Sequence, residues 1–302
     1  MRGVSCTAAN ACTAVGSYLN GSSTRTLAER WNGASWTVQS TPNPTGSQYA
    51  VFQGVSCSSA TSCMAVGRFF DTPNSKYSTL AEQWNGSNWA IKTPQSVPGQ
   101  TFSTLDGVSC TSSTACAAVG GYSTNTNASQ ADKLLAEGWN GTSWSIEGTP
   151  PPPSATFATF SGVSCHAAGE CTAAGGSSTT PGATSPSTPL AERWNGTSWA
   201  IQGTLTATSQ GFNGDSCPGA SACTAVGGFG GMFAERWDGT SWTSQTLASV
   251  SPNAGQLLGV SCPTAAACTA TGQSLSNYFV QAQWSSTIFI GVMDVPLAER
   301  WH

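Results

Sequence analysis

Short apolar runs rich in Val, Ile, Leu and aromatic residues follow one another along the chain, separated by Gly, Asn, Ser and Pro. In some runs apolar and polar residues alternate, so that Trp36 and Val38 point to one face of a strand and Thr37 and Gln39 to the other. No segment of about 11 residues has the apolar spacing of an amphipathic helix. The pattern therefore predicts an all-β protein.

The apolar runs recur in a repeated unit. A unit reads G-V-S-C, five residues, C-x-A-x-G, a variable stretch, L-A-E-x-W, N-G-x-S-W and a Thr/Pro/Ser-rich link, with small departures between copies. Self-similarity on this scale indicates one repeat domain that covers nearly the whole chain. Successive units are 45–55 residues apart, because their first cysteines lie at Cys6, Cys57, Cys110, Cys165, Cys217 and Cys262.

Each unit is long enough for four strands, A to D. In unit one they are predicted at about 2–6, 12–16, 26–31 and 35–39. Four short strands in about 50 residues are typical of a β-propeller blade. We predict one six-bladed β-propeller over residues 1–302, with four antiparallel strands per blade and blades at approximately 1–48, 49–101, 102–156, 157–209, 210–255 and 256–302, the last irregular.

The phrase W-N-G-x-S-W, with Asp for Asn in unit five, joins strands C and D and holds ten of the twelve tryptophans. Asn-Gly is typical of a tight hairpin turn, because glycine adopts positive φ freely and asparagine tolerates it. Two registers are open: a two-residue Asn-Gly turn, or a four-residue loop with the two tryptophans directly opposed. Both registers put Glu29, Trp31, Trp36 and Val38 on the same face.

All twelve cysteines belong to pairs with five residues between the members. A short A–B link would bring each pair together across a hairpin, so we predict six disulfides, each worth about 2–3 kcal/mol. The cysteine spacing does not fit zinc and the chain has only two histidines, so we predict no metal and no cofactor. The predicted disulfides are Cys6–Cys12, Cys57–Cys63, Cys110–Cys116, Cys165–Cys171, Cys217–Cys223 and Cys262–Cys268.

Disulfides form in oxidising compartments, so the predicted location is extracellular, either secreted or at the cell surface. Residues 1–20 contain no apolar export segment, so we expect a mature or trimmed form, or a missing upstream piece. The sequence has no run of about 20 apolar residues that would predict a membrane span. The net charge is −4 with three lysines and no basic stripe, which argues against a nucleic-acid partner.

A glutamate lies two residues before the first tryptophan of each hairpin. Two roles are open for these pairs. They could bind a sugar, with the indole ring stacking on the pyranose and the carboxylate accepting hydroxyl protons. Alternatively both side chains fill the space between neighbouring blades, where a buried carboxylate needs hydrogen-bond partners. The candidate ligand residues are Glu29 and Trp31, Glu82 and Trp84, Glu137 and Trp139, Glu192 and Trp194, and Glu235 and Trp237.

The stretch CAAVGGYS…LLAEGWNGTSWSIEGTP, from Cys116 to Pro150, resembles the kelch type of propeller repeat, in which the second strand ends in Gly-Gly and aromatic residues close the third strand and open the fourth. The unit is also similar to GVSC…C.AVG…LAERWNG.SW repeats of secreted bacterial proteins. AERWNGTSW is similar to a phrase of six-bladed fucose-binding lectins, which have one more residue between Glu and Trp and an arginine on the preceding strand. These resemblances imply the architecture, and the lectins imply carbohydrate binding.

The sequence offers no catalytic triad, metal site or arginine cluster, so we predict a non-enzymatic protein. In a propeller the A–B and C–D turns share one face, here called the turn face. The B–C and D–A links share the other, the loop face. The links vary in length, with longer B–C stretches at 64–80, 117–134 and 172–190, and binding sites are commonly built on such loops. We therefore place a protein or glycan partner on the loop face.

Unit six departs from the repeat. Residues 279–284 replace L-A-E-R-W, 285–293 replace the usual turn and fourth strand, and 296–302 restate a third strand. Three outcomes are open: residues 287–293 complete the last blade, the tail pairs with a neighbouring molecule, or the chain is part of a longer array. Self-association through residues 285–302 follows from the second.

The first functional hypothesis is a secreted, non-catalytic recognition or scaffold module that acts through the loop face. The second is a lectin with repeated Trp/Glu sites, which exposure of the repeated tryptophans would favour. The third is a subunit of an extracellular homopolymer or fibre, joined through the C-terminal strand.

Overall fold

A computed structural model describes residues 1–126, 128–180, 183, 186, 188–204, 210–228, 231–247, 255–274, 279–284 and 288–293. These residues form 24 strands and one 3-10 turn, Thr72–Asn74, and they contain no helix long and apolar enough to cross a membrane. The strands of units one to three are β1 (Gly3–Ala8), β2 (Ala11–Asn20), β3 (Ser23–Trp31), β4 (Trp36–Gln39), β5 (Ala50–Ser59), β6 (Ser62–Asp71), β7 (Lys76–Trp84), β8 (Trp89–Ile91), β9 (Phe102–Ser112), β10 (Ala115–Ser123), β11 (Lys133–Trp139) and β12 (Trp144–Glu147). Those of units four to six are β13 (Phe157–Ala167), β14 (Glu170–Ser178), β15 (Thr188–Trp194), β16 (Trp199–Gln202), β17 (Phe212–Gly219), β18 (Ala222–Gly227), β19 (Phe233–Trp237), β20 (Trp242–Ser244), β21 (Gly255–Thr264), β22 (Ala267–Ser274), β23 (Phe279–Trp284) and β24 (Ile288–Met293).

Each unit contributes four antiparallel strands in the order A–B–C–D, as predicted. Single parallel bridges, Thr24 to Tyr49 and Tyr77 to Phe102, link units one and two and units two and three. Strands B and C are longer than the sequence pattern predicted. In unit one they remain paired as far as Asn20 and Ser23, because the polar residues beyond the apolar run continue the ladder.

The six predicted disulfides are present, with Cα–Cα distances of 3.9–4.1 Å. In units one to four their members lie opposite each other on paired strands, as Cys6 and Cys12 do. The A–B connection is therefore shorter than the five-residue link expected, because strands A and B continue past the cysteines to the pair Ala8 and Ala11. Each bridge ties two neighbouring strands just inside a tight turn.

The C–D hairpin adopts the second of the two predicted registers. The two tryptophans are directly opposed in units one to five, as Trp31 is to Trp36. Gly33 has φ +96, so the glycine takes the positive φ that was expected. Asn32 does not; its side-chain oxygen accepts from the N–H groups of Ala34 and Ser35, both at 2.9 Å. The asparagine therefore serves the turn through its side chain.

Consecutive units meet along their A strands in a contact, here called a seam, that repeats five times. The serine of G-V-S-C accepts from the backbone N–H of the first cysteine in the next unit, at 3.0 Å for Ser5 and Cys57 and at 2.8–3.0 Å in the others. The glycine of the motif lies against the next strand, so that a Cβ on Gly107 would be 2.9 Å from the Cα of Gly162. Only glycine allows this approach.

Units six and one do not make these contacts among the described residues. A Cβ on Gly259 would meet nothing within 4 Å, whereas its counterpart Gly54 lies against unit three. Trp36 is 38% exposed, but the equivalent tryptophans of units two to five are at most 5% exposed. The face of unit one that corresponds to the covered faces of units two to five is therefore open to solvent.

The sequence analysis made predictions about the B–C stretches and about the C-terminal residues, and the first of these needs correction. The longer B–C stretch at 64–80 is mostly strand, and those at 117–134 and 172–190 are about half strand, because strands B and C continue into them; the connections in units two and three shrink to 72–75 and 124–132. In unit six, Ile288–Met293 pairs with Phe279–Trp284 as a fourth strand, which agrees with the prediction that residues 287–293 complete the last blade. Residues 294–302 lie outside the described residues, so self-association through 285–302 stays a prediction.

Candidate functional site

The repeated glutamates lie between units. Glu82, Glu137 and Glu192 are 0% exposed and Glu235 is 2% exposed, whereas Glu29, on the open face of unit one, is half-buried. Burial raises the pKa of Glu82 to about 9, of Glu192 to about 8 and of Glu137 to about 7, because a buried carboxyl resists ionisation. Solvent does not reach four of the five carboxyls proposed as ligand residues.

The first tryptophans of the hairpins in units two to five also pack at the seams, whereas that of unit one lies on its open face. Trp84 and Trp139 are buried, and Trp31, Trp194 and Trp237 are half-buried. Each lies against its opposed tryptophan, with ring centroids 5.5–5.9 Å apart. In units two to five the rings fill the wedge between neighbouring units, where large apolar surfaces are most effectively buried.

A cleft of about 310 Å³ opens on the loop face between units three and four, and we call it the loop-face cleft. Unit three supplies Tyr122 from the end of strand B, Asp132 from the end of the B–C connection, and Lys133 and Leu134 from the start of strand C. The link and the next strand A supply the opposite wall, Thr149, Pro151, Ala155, Thr156 and Ala158.

The charged groups of the loop-face cleft are held in place by one another. Lys133 Nζ donates to Asp132 Oδ1 at 3.3 Å and lies 5.9 Å from the centre of the Tyr122 ring. The other Asp132 oxygen accepts from Asn125 Nδ2. The side chain of Lys133 is 43% exposed and that of Asp132 is 20% exposed, so both remain within reach of a ligand. Tyr122, Asp132 and Lys133 therefore all border one opening, although the Tyr122 ring also packs against the apolar cluster between units two and three.

None of the residues of this cleft was among the candidate ligand residues of the sequence analysis. The cleft does lie on the face that the variable links favoured. A signal was available in the departures from the repeat, since Lys133 is one of three lysines in the chain and Tyr122 follows the Gly-Gly that ends strand B.

A second, smaller cavity of about 130 Å³ lies on the turn face of the same seam, and we call it the turn-face pocket. Its lining includes Gly138, Trp139 and Glu147 of unit three and Trp194 of unit four. Glu147 Oε2 accepts from the indole N–H of Trp199 at 2.8 Å. Burial raises the pKa of Glu147.

His166 and Glu170, which stand out in the sequence because histidine is scarce, form part of a small ion cluster. His166 Nε2 lies 2.9 Å and Arg193 Nη2 lies 3.2 Å from Glu170 Oε2. No group of three or more metal-ligating side chains occurs in the part of the chain that the structure describes.

No protein-family model matches the chain, and no curated protein matches it by sequence. Solved structures do match. The Aleuria aurantia fungal lectin, described with a six-bladed β-propeller fold and a novel fucose recognition mode, is 15% identical with a TM-score of 0.56 over 98% of this chain and 96% of the lectin. YCF48 from Cyanidioschyzon merolae is 11% identical with a TM-score of 0.55 over 97% of this chain and 84% of that protein. The SapL1 lectin, in complex with α-methyl fucoside, is 13% identical with a TM-score of 0.53 over 94% and 97%.

Identities this low carry no function from one chain to another, but they do establish the fold. The matches extend over nearly the whole chain, and the observed unit of four antiparallel strands is that of a blade. The chain has the fold of a six-bladed β-propeller.

Proposed function

We propose that this protein is an extracellular, non-catalytic propeller that binds glycans in the loop-face cleft between units three and four. The observation that carries the proposal is the lining of the cleft, where Tyr122, Asp132 and Lys133 meet around about 310 Å³. The six disulfides support an extracellular location, because such bonds persist in oxidising compartments.

A saccharide matches this chemistry group by group. Its hydroxyls donate to the carboxylate of Asp132 and accept from the ammonium of Lys133, and its apolar ring face packs on apolar lining residues such as Pro151 and Ala155. The volume is at the lower end of the range for small-molecule sites and suits a short saccharide. Two of the structural neighbours are lectins, one described with a fucose recognition mode and one in complex with α-methyl fucoside, which adds support for a glycan ligand.

Repeated Trp/Glu sites, the other form that a lectin could take here, would require the glutamates to contact the ligand. Four of the five are buried between units, whereas the polar groups of the loop-face cleft reach solvent. The proposal therefore places the glycan at the cleft.

The test is a glycan array and a set of soluble polysaccharides, screened with the oxidised protein and followed by calorimetry on the hits. Asp132→Asn and Lys133→Met each remove a charged hydrogen-bonding group and should weaken binding about tenfold or more. Lys92→Met is the matched control, because Lys92 is not among the residues that line the cleft. Its affinity should equal that of the wild type.

Two outcomes contradict the proposal. A blank array and no polysaccharide binding would exclude glycans as the ligand class. Binding that survives Asp132→Asn and Lys133→Met, but is lost in Trp139→Ala, would move the sugar site away from the cleft to the hairpin tryptophans.

A further inference from the structure

One side-chain position bridges the seams on the turn face. It is the residue between the glutamate and the first tryptophan of the hairpin, and it is Arg30, Gln83, Arg193 and Arg236 in units one, two, four and five. Gln83 donates to Ser113 O at 3.0 Å and Arg193 to Ala220 O at 2.6 Å; Arg236 donates to Ala265 O. Each acceptor belongs to the A–B turn of the following unit. Arg30 instead lies over the ring of Trp84 in the following unit, 5.1 Å from its centre.

Unit three has glycine at this position. Gly138 has no side chain to cross the seam, and the turn-face pocket of about 130 Å³ lies at this place, between Trp139 of unit three and Trp194 of unit four. Trp194 is the counterpart of Trp84, the ring that Arg30 covers. An indole face that carries a guanidinium at one seam therefore borders a cavity at another.

The same pocket contains a carboxylate that the equivalent seams lack. The residue three positions after the second tryptophan is Gln39, Lys92, Gln202 and Gln245 in the other hairpins but Glu147 in unit three. Oε2 of Glu147 is engaged by the indole of Trp199, and Oε1 lies so close to Gly138 that a Cβ on the glycine would collide with it. The acidic oxygen thus occupies the place from which the missing side chain would start.

We propose that the turn-face pocket binds a guanidinium group, the arginine side chain of a peptide or protein ligand. The arginine of the ligand takes the place of the arginine that units one, four and five have in their own sequence and that unit three lacks. Its planar cation stacks on Trp194 as Arg30 does on Trp84, and Glu147 supplies the opposite charge. Arg193, the neighbour of Trp194 in sequence, is already paired with Glu170, and no salt bridge to Glu147 occurs among the described residues.

This site is independent of the glycan proposal, because it lies on the opposite face and shares no lining residue with the loop-face cleft. The probe is the peptide acetyl-Gly-Arg-Gly-amide, compared with the same peptide carrying citrulline, a neutral isostere of arginine. Calorimetry on the oxidised protein should give one site for the arginine peptide. The citrulline peptide should bind about tenfold more weakly or not at all.

Three variants test the assignment of residues. Gly138→Arg fills the pocket and should abolish binding. Glu147→Gln keeps an acceptor for Trp199, as Gln39 is for Trp89 at 2.9 Å, but removes the charge and should weaken binding about tenfold. The double variant Arg30→Gly with Gln39→Glu recreates the pocket between units one and two and should raise the stoichiometry to two.

The matched control is Arg30→Gly alone, which opens the equivalent space without a carboxylate and should leave one site. Equal affinity for the arginine and citrulline peptides would overturn the proposal. So would arginine-peptide binding that persists unchanged in Gly138→Arg, or a double variant that folds and still binds one peptide.

Discussion

The same glutamate position gives carboxyls of different acidity in different units, and one neighbouring backbone group accounts for part of the difference. Glu137, with a pKa of about 7, accepts from the backbone N–H of Gln95 at 2.8 Å, which favours the charged form. Glu192 has a pKa of about 8, and the residue that corresponds to Gln95 in the preceding unit is Pro150, which has no N–H to donate. Burial without such a donor leaves the neutral acid as the stable form.

Glu82→Gln should make stability less dependent on pH. The folded-state pKa of about 9 lies above the usual 4.5, so the folded protein holds a proton that the unfolded chain releases between these values. Stability is full below about pH 4.5 and falls as the pH rises towards 9. In the variant, the free energy of unfolding should fall less steeply with pH, by up to about 1.4 kcal/mol per pH unit. Urea unfolding at pH 5 and pH 8 measures it.

Glu29→Gln is the control for this experiment. Glu29 occupies the same repeat position but is half-buried on the open face of unit one. Its variant should reproduce the wild-type dependence on pH. A Glu82→Gln protein whose stability declines as steeply as that of the wild type would contradict the role of the buried carboxyl.

Asp238→Asn should protect the protein against acid without changing it at neutral pH. Asp238 accepts from the Thr240 hydroxyl and from the N–H groups of Ser241 and Thr240, which lower its pKa to about 2. The stabilisation of the folded protein by ionised Asp238 is therefore present above about pH 3.8 and lost as the pH falls through 2. Asparagine fills this place in four other units and does not titrate.

Melting temperatures at pH 7 and pH 2 measure the effect of Asp238→Asn. They should coincide with those of the wild type at pH 7 and exceed them at pH 2. Asn195→Asp, the converse change in unit four, should add acid sensitivity. Identical acid curves for all three proteins would rule the mechanism out.

At the scale of the element, the C–D hairpin has the same local structure in units one to five but a different environment in unit one. Trp89 is 4% exposed and its indole donates to Gln39 of unit one, while Trp36, with the same hairpin around it, is 38% exposed. The fourth strands of these two hairpins are only four and three residues long and bury little by themselves, so the stability of each hairpin depends on the neighbouring unit.

Trp89→Ala should therefore destabilise the protein by about 3–5 kcal/mol, as expected for a large buried aromatic side chain. Trp36→Ala, the matched change on the open face, should cost about 1 kcal/mol. Guanidinium unfolding followed by circular dichroism gives both values. Equal losses would mean that unit one is covered in solution as the other units are.

At the scale of the whole molecule, stability is the sum of similar units and of the seams between them. Each disulfide closes a small loop and contributes about 2 kcal/mol, so the six together are comparable with the stability of a typical domain, about 5–15 kcal/mol. The described residues contain no free cysteine, so reduction of the bridges is the thiol–disulfide change open to them.

Full reduction should lower the melting temperature by more than about 10 °C, because several kcal/mol are lost at once. The measurement is a circular-dichroism melt of protein treated with a phosphine reductant, with alkylation and mass spectrometry to confirm twelve free thiols. Re-oxidation should restore the original melt. An unchanged melt with all twelve cysteines alkylated would show that the seams alone hold the fold.

Local chemistry made much of this structure predictable from the sequence. Glycine at the hairpin turn, paired cysteines and the G-V-S-C spacing act over a few residues and repeat six times or nearly so, which identified the blades and the disulfides. The strand ends were less predictable, because polar residues such as Thr24 and Asn20 continue a ladder whenever a partner strand is available. The proposed sites were missed because each of them departs from the repeat: Tyr122, Lys133 and Gly138 are informative only beside their counterparts in other units.

The sequence by itself determined the all-β class, the four-stranded unit, its sixfold repetition and the disulfide pairing, since all of these depend on side-chain periodicity and spacing along one strand or hairpin. Only the tertiary structure decided the register that opposes Trp31 to Trp36, the burial of Glu82 and its counterparts, and the open face of unit one. It also decided which residues meet across the seam of units three and four. Those properties depend on how one sheet packs against the next, which brings together residues about 50 positions apart that no local pattern relates.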